Sequence, residues 1–218
     1  VYRLTLDQPR ASLRFPSGAT QQSEQIDELN YRVTVTRLDP QDRPDAVIAI
    51  AADEKYYSSS RHLELEHPAV IRLAEEGAGE RTDPVETALA LERFVHQKLN
   101  TKNFSTAQGT AAEVATTLEG DCTEHAVLLA ALLRVRNVPS RVAIGLVYAD
   151  AHSAFGGHMW TEAFLDARWV PLDATLGKGG IGAGHIKFAD SSLDGDAPPL
   201  ITTFLPLIGV LEHLSLKV

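Results

Sequence analysis

The segment that decides the fold comprises residues 120–148 and reads GDCTEHAVLLAALLRVRNVPSRVAIGLVY. Its pattern predicts a helix that begins at Cys122 and is apolar on nearly all sides, which is typical of a helix at the centre of a domain. Asp121 is a favoured N-cap and Glu124 stands three residues later, so the helix start resembles a capping box. A strand is expected next, over residues 140–149. The only cysteine in the chain therefore lies at a predicted helix N-terminus.

The periodicity of the rest of the chain predicts an α+β protein with two regions. Helices are expected to begin near His67 and Asp83, each followed at once by proline, and a third, shorter helix is expected to end at Gly120. The first part of the chain alternates apolar and polar residues, which predicts strands at residues 1–6, 29–38 and 46–51. We therefore divide the chain into a β-rich N-terminal region, residues 1–62, and a core of helices packed on an antiparallel sheet, residues 63–218.

A hairpin is predicted from HMWTEAFLDARWVPLDAT, residues 158–175. If Asp166 and Ala167 form a two-residue loop, His158 and Asp173 share one face as diagonal neighbours, about 7–8 Å apart between Cα atoms. Imidazole and carboxylate then meet. Asp-Ala is not a favoured pair for such a turn, however, and a three-residue loop without a bulge would place Asp173 on the opposite face.

Cys122, His158 and Asp173 are residue types that together form a nucleophile, a base and a carboxylate that orients the base. A helix N-terminus and a nearby histidine both favour the reactive thiolate of a cysteine. The competing interpretation is that Cys122 is a small buried side chain without chemistry, because free cysteines are commonly buried and inert.

Three motifs together resemble the transglutaminase-like cysteine enzymes, whose core is related to the papain-like fold. These motifs are the segment 120–148 quoted above, HMWTEAFL at 158–165 and WVPLDAT at 169–175, and the likeness spans about residues 84–176. The resemblance implies a catalytic Cys122, a base His158 and an orienting Asp173.

The activity that the resemblance implies is that of a cysteine protease, an amide hydrolase or a protein-glutamine acyltransferase, acting through a thioester on a protein or peptide substrate. No acidic loop with EF-hand spacing is present, which favours a bacterial-type member over the animal cross-linking enzymes. The alternative is a catalytically silent scaffold or protein-binding module with the same fold.

An oxyanion formed in such a reaction needs hydrogen-bond donors, and the backbone N–H of Cys122 is one candidate. Gln108, Asn103 and Trp160 are candidates for the second donor or for the wall of a substrate groove, and Trp160 could equally serve only in the core. The residues before His158, ADAHSAFGG at 149–157, are expected to form a surface loop or a flap.

The composition excludes several other classes of protein. A formal charge of −9 argues against nucleic acid as a partner, and no apolar run is long enough to insert in a membrane. Cys122 and His125 have the spacing of half a zinc site, but no second compact ligand pair accompanies them, so we predict no metal and no cofactor. The chain begins with Val rather than Met, as in a fragment of a longer protein, so its compartment and oligomeric state stay open.

Overall fold

The computed structural model describes residues 1–10, 13–44, 50–99, 109–150, 153–195, 208–211 and 213–218. Within these ranges the α-helices are α1 (Pro68–Ala78), α2 (Pro84–Lys98), α3 (Ala111–Thr117) and α4 (Cys122–Val135). The strands are β1 (Tyr2–Leu6), β2 (Gln21–Gln25), β3 (Asn30–Val35), β4 (Ser140–Ala149), β5 (Ala154–Leu165), β6 (Arg168–Leu172), β7 (His185–Ser191) and β8 (Leu214–Lys217). The predicted α+β class, with helices on an antiparallel sheet, is confirmed. No helix in the described part of the chain is long and apolar enough to cross a membrane.

The helices begin where the sequence predicts them. The side chains of His67 and Asp83 cap α1 and α2, and proline occupies the first position of each helix. The third helix ends earlier than expected, because Leu118 rather than Gly120 adopts the left-handed conformation that terminates it, with φ of 56°. The residue that ends a helix in this conformation is usually glycine or asparagine, so a leucine does not indicate a helix end from the sequence.

The central sheet has the order β6-β5-β4-β7, and all its strand pairs are antiparallel. Helix α4 packs against this sheet, and the hydroxyl of Thr161 in β5 donates to the carbonyl of Ala126 in α4 at 2.9 Å. Every residue of α4 from Glu124 to Arg134 is buried, as its apolar sequence predicts. Residues 154–157, expected in a loop, instead extend β5 because they pair with the end of β4.

The register of the β5–β6 hairpin agrees with the two-residue loop. Leu165 pairs with Arg168 and Phe164 with Trp169, which leaves Asp166 and Ala167 as the loop. Both loop residues have positive φ, 48° and 61°, as a type I′ turn requires. The pairing of β5 with β6 leaves room for only these two residues in the loop, so Ala167 adopts the left-handed conformation even though it is strained for alanine.

A second sheet has the order β2-β3-β1-β8 and contains the three N-terminal strands. Strands β1 and β3 were predicted, whereas β2 was not, because its sequence QQSEQ is entirely polar and only Gln21 is buried. Most of the expected strand at 46–51 lies outside the described residues. The last strand of the chain, β8, pairs with β1, so this sheet combines both ends of the chain. The division of the chain at residue 62 stays a prediction.

Arg134, in the last turn of α4, joins segments that are distant in sequence. Its guanidinium is buried and donates to three backbone carbonyls, those of Ser58, Ser140 and Ser192. Burial lowers the pKa of Arg134 to about 10, which still leaves the side chain charged near neutral pH. The arginine thereby fixes the C-terminal end of α4 against the sheet and the loop after β7.

Candidate active site

The thiol of Cys122 lies at the first position of α4, where the predicted capping box is formed. Asp121 accepts from the backbone N–H of Thr123 at 2.9 Å, and Glu124 accepts from the N–H of Asp121 at 3.0 Å. A Cβ added to Gly120 would lie 2.2 Å from the Cβ of Glu124, so only glycine fits before the cap. Cys122 itself is half-buried and unpaired with any other cysteine. The helix therefore begins with a thiol at its positive end.

His158 and Asp173 meet on the sheet as the hairpin register predicts. His158 lies in β5 and Asp173 directly follows β6, and the distance from Nε2 of His158 to Oδ2 of Asp173 is 2.8 Å. Both side chains are buried, and the carboxylate has no solvent exposure. The imidazole and the carboxylate thus form a hydrogen bond from which water is excluded.

Cys122 is the other side chain that acts on the His158 imidazole, because its interaction with the ring helps to raise the pKa of His158. Since Nε2 of His158 is engaged with Asp173, Nδ1 is the ring nitrogen that remains for the thiol. An ionised carboxylate only accepts hydrogen bonds, so the proton of this pair is assigned to Nε2. One ring nitrogen of His158 therefore serves the carboxylate, and the other is available to the thiol.

The charges in this group favour a protonated His158 and an ionised Asp173. Burial alone would lower the pKa of His158, but its hydrogen bonds with Asp173 and Cys122, and their negative charges, together raise that pKa to about 9. Burial would likewise raise the pKa of Asp173, yet hydrogen bonds from His158 and His185 hold it well below its usual range. The carboxylate thus supplies a fixed negative charge beside the imidazolium.

A fourth side chain of this group is His185, for which the sequence predicts no role. It lies at the start of β7, is buried, and places Nε2 at 2.9 Å from the same Oδ2 of Asp173. Its ring contacts Trp160 edge-on, with centroids 5.3 Å apart. The pairing of β7 with β4 brings His185 here, and no local pattern in the sequence indicates that pairing.

A buried carboxylate in α2 was also missed. Glu92 accepts from the backbone N–H of Asp173 at 2.9 Å and from that of Gly180 at 3.0 Å. Burial raises the pKa of Glu92, and the nearby charge of Asp173 adds to the effect. Glu92 therefore connects α2 to the segment that carries Asp173. Nothing in the helical sequence distinguishes Glu92 from a charged residue on an exposed helix face, so its role was not predicted.

A metal ion could be held by His158, Asp173 and His185, whose ligand atoms all lie within 4.8 Å of one another. The two N–O distances are those of hydrogen bonds, however, and the histidines already satisfy the carboxylate oxygen. The other histidine considered for metal, His125, directs Nδ1 to the carbonyl of Asp121 at 2.6 Å.

The remaining predicted site residues have different positions. Trp160 is almost fully buried, and its indole ring stacks near that of His158 at 6.3 Å between centroids, with planes 25° apart. Its Nε1 is buried and has no hydrogen-bond partner among the residues described. Gln108 and Asn103 lie outside the described residues, so their role as oxyanion donors or groove residues stays a prediction.

Part of the chain matches a known family of proteins. Residues 71–174 match the Transglutaminase-like superfamily. This match agrees with the resemblance that the three sequence motifs carry. No curated protein sequence matches the chain significantly.

Solved structures with a similar fold include a candidate cysteine protease from Cytophaga hutchinsonii. That structure has a TM-score of 0.56 and 16% identity, and the match covers 99% of this chain and 80% of the other. The periplasmic domain of TgpA from Pseudomonas aeruginosa has a TM-score of 0.50 and 16% identity, with 81% and 87% covered. The same domain bound to ethylmercury also has a TM-score of 0.50, with 17% identity and coverage of 81% and 89%. At these identities, the similarity establishes the fold.

Proposed function

We propose that the protein is a cysteine enzyme that cleaves amide or peptide bonds through a thioester acyl-enzyme. The observation that carries this proposal is the hydrogen bond between His158 and the buried Asp173, together with the thiol of Cys122 at the start of α4, which helps to raise the pKa of His158. The types and order of these groups are those of a nucleophile, a base and an orienting carboxylate. The thiol also lies at a helix N-terminus, where the thiolate is favoured.

In the acylation step, the thiolate of Cys122 attacks the carbonyl carbon of the substrate and the C–S bond forms. The C–N bond then breaks, and His158 donates the proton on Nδ1 to the departing amine. Asp173 stabilises the imidazolium before that transfer and orients the ring throughout. The oxyanion would accept from the backbone N–H of Cys122, and the unpartnered Nε1 of Trp160 is a candidate for the second donor.

In the second step, an acceptor attacks the thioester while His158 takes its proton and the thiolate leaves. Water as acceptor gives hydrolysis, whereas the amine of a lysine side chain gives acyl transfer, and both use the same three residues. The fold relative from C. hutchinsonii, a candidate cysteine protease, makes peptide hydrolysis the first reaction to assay.

The test is a comparison of the parent protein with Cys122→Ala and Asp173→Asn on a casein substrate. New amino termini and ammonia report hydrolysis, and incorporation of a fluorescent primary amine reports transfer. We expect one of these products from the parent, none from Cys122→Ala, and a rate lower by about 10⁴ in Asp173→Asn, because the amide favours the wrong imidazole tautomer.

Activity that survives in Cys122→Ala would refute the assignment of the nucleophile. A parent protein that forms no product and whose Cys122 is also no more reactive than an ordinary thiol would support the silent scaffold instead.

A further inference from the structure

The carboxylate of Asp173 is surrounded by four donors, and only one of them belongs to His158. Its Oδ2 accepts from both His158 and His185, at 2.8 and 2.9 Å. Its Oδ1 accepts from the backbone N–H groups of Thr175 and Leu176, at 3.0 and 3.2 Å. Each oxygen therefore has two donors, so the orientation of the carboxylate is fixed from both ends.

We propose that His185 is a positioning residue, which acts on the reaction by holding the Asp173 carboxylate in the orientation that His158 needs. This inference rests on the proposed function. The hydrogen bond of His185 is made to Asp173, so His185 acts through that carboxylate.

The donor in this contact is the Nε2–H of His185. An ionised carboxylate can only accept, so both histidines donate from Nε2 to the same oxygen. Because His185 and Asp173 are buried, water has little access to replace a donor that is removed. Without His185, Oδ2 would keep one of its two donors, and the carboxylate would be held less firmly in the orientation that His158 needs.

An irregularity in the pairing of β4 with β7 brings His185 to this position. Strand β7 crosses β4 with a register shift between Ile144 and Gly145. A Cβ on Gly145 would lie 1.9 Å from the backbone oxygen of Ile186, so only glycine allows the two strands to approach here. The edge-on contact with Trp160 then fixes the ring of His185. The close approach of β4 and β7 at Gly145 and Ile186 therefore places the neighbouring His185 where it contacts Asp173.

Two substitutions distinguish the effect of the His185 hydrogen-bond donor from the effect of the shape of its side chain. His185→Phe keeps an aromatic ring against Trp160 and removes the N–H, whereas His185→Gln replaces the imidazole by an amide that can donate to Asp173. The readout is the second-order rate constant for alkylation of Cys122 by iodoacetamide at pH 7, with EDTA present to exclude a metal ion. It needs no knowledge of the natural substrate.

We expect His185→Phe to lower this rate constant about tenfold to a hundredfold, as for the loss of one hydrogen bond to a charged group. We expect His185→Gln to recover most of the loss. In an Asp173→Ala background, His185→Phe should cause no further decrease, since the residue through which it acts is gone. Thermal unfolding of each variant verifies that it is folded, and His185→Leu replaces His185→Phe if the latter does not fold.

A donor-free variant that reacts as fast as the parent would overturn the proposal for His185 while leaving the proposed function intact. Equal losses in His185→Phe and His185→Gln, or an undiminished loss in the Asp173→Ala background, would also overturn it, because they indicate a general structural role. A parent protein whose Cys122 reacts like an ordinary thiol would overturn both proposals.

Discussion

Glu92 offers a direct test of how α2 supports the candidate site. Its carboxylate is buried and accepts from the backbone N–H groups of Asp173 and Gly180. Glu92→Leu removes both acceptors, and a buried N–H without a partner costs about 1–3 kcal/mol. Removal of a buried charge offsets part of this cost. We therefore expect Glu92→Leu to lower the free energy of unfolding by about 2–5 kcal/mol.

Glu92→Gln is the matched control, because its side-chain oxygen can still accept from both N–H groups. We expect it to remain within about 1 kcal/mol of the parent at pH 7. The pKa of Glu92 is raised in the folded protein, so folding favours its protonated form. That contribution is fully present below the unfolded pKa of about 4.3 and is lost as the pH rises through the folded pKa. The parent should therefore lose stability relative to Glu92→Gln as the pH rises.

The assay is urea unfolding at several pH values, followed by alkylation of Cys122 in the folded proteins. We expect Glu92→Leu to slow alkylation as well, because the backbone at Asp173 loses its anchor. The reasoning would be refuted if the leucine and glutamine variants were equally stable, or if the parent gained stability over Glu92→Gln with rising pH.

Three further substitutions test other parts of the account. Ala167→Gly should stabilise the protein by up to about 1 kcal/mol, since it relieves a left-handed alanine, and a lower thermal midpoint would contradict the type I′ turn. Arg134→Met should destabilise it by at least about 3 kcal/mol in urea unfolding, because three backbone carbonyls lose their donor; a smaller loss would contradict the tie between α4 and the sheet. His158, with its pKa raised to about 9, stabilises the folded state fully below pH 6.5 and loses this contribution as the pH rises through 9. The stability of the parent relative to His158→Gln should therefore fall by up to about 3 kcal/mol over that window, and a constant difference would contradict a protonated His158.

Features set by neighbours in the sequence could be predicted. The capping box around Cys122 depends on two residues, Asp121 and Glu124, three positions apart, and the meeting of His158 with Asp173 follows from strand parity once the turn is placed. The turn itself was the uncertain step, because Asp-Ala is a poor match to positive φ. The fold of the hairpin prevailed over the local preference of Ala167.

Features set by contacts between distant segments could not be predicted. His185 reaches Asp173 only because β7 pairs with β4, and Glu92 reaches it only because α2 packs beside the end of β6. Neither residue stands out in its own segment. Strand β2 was missed for a related reason, since a polar edge strand has no apolar alternation to reveal it.

The central claim is that Cys122 is a nucleophile activated by His158, and the rate of its alkylation by iodoacetamide against pH tests this most directly. The parent is compared with His158→Ala and with a control, His213→Ala, whose histidine is paired with Asp7 next to strands β1 and β8. The account predicts a rapid reaction that persists well below pH 8 in the parent and in the control and is weakened in His158→Ala. A slow reaction with the profile of an ordinary thiol, or one unchanged by His158→Ala, would contradict it.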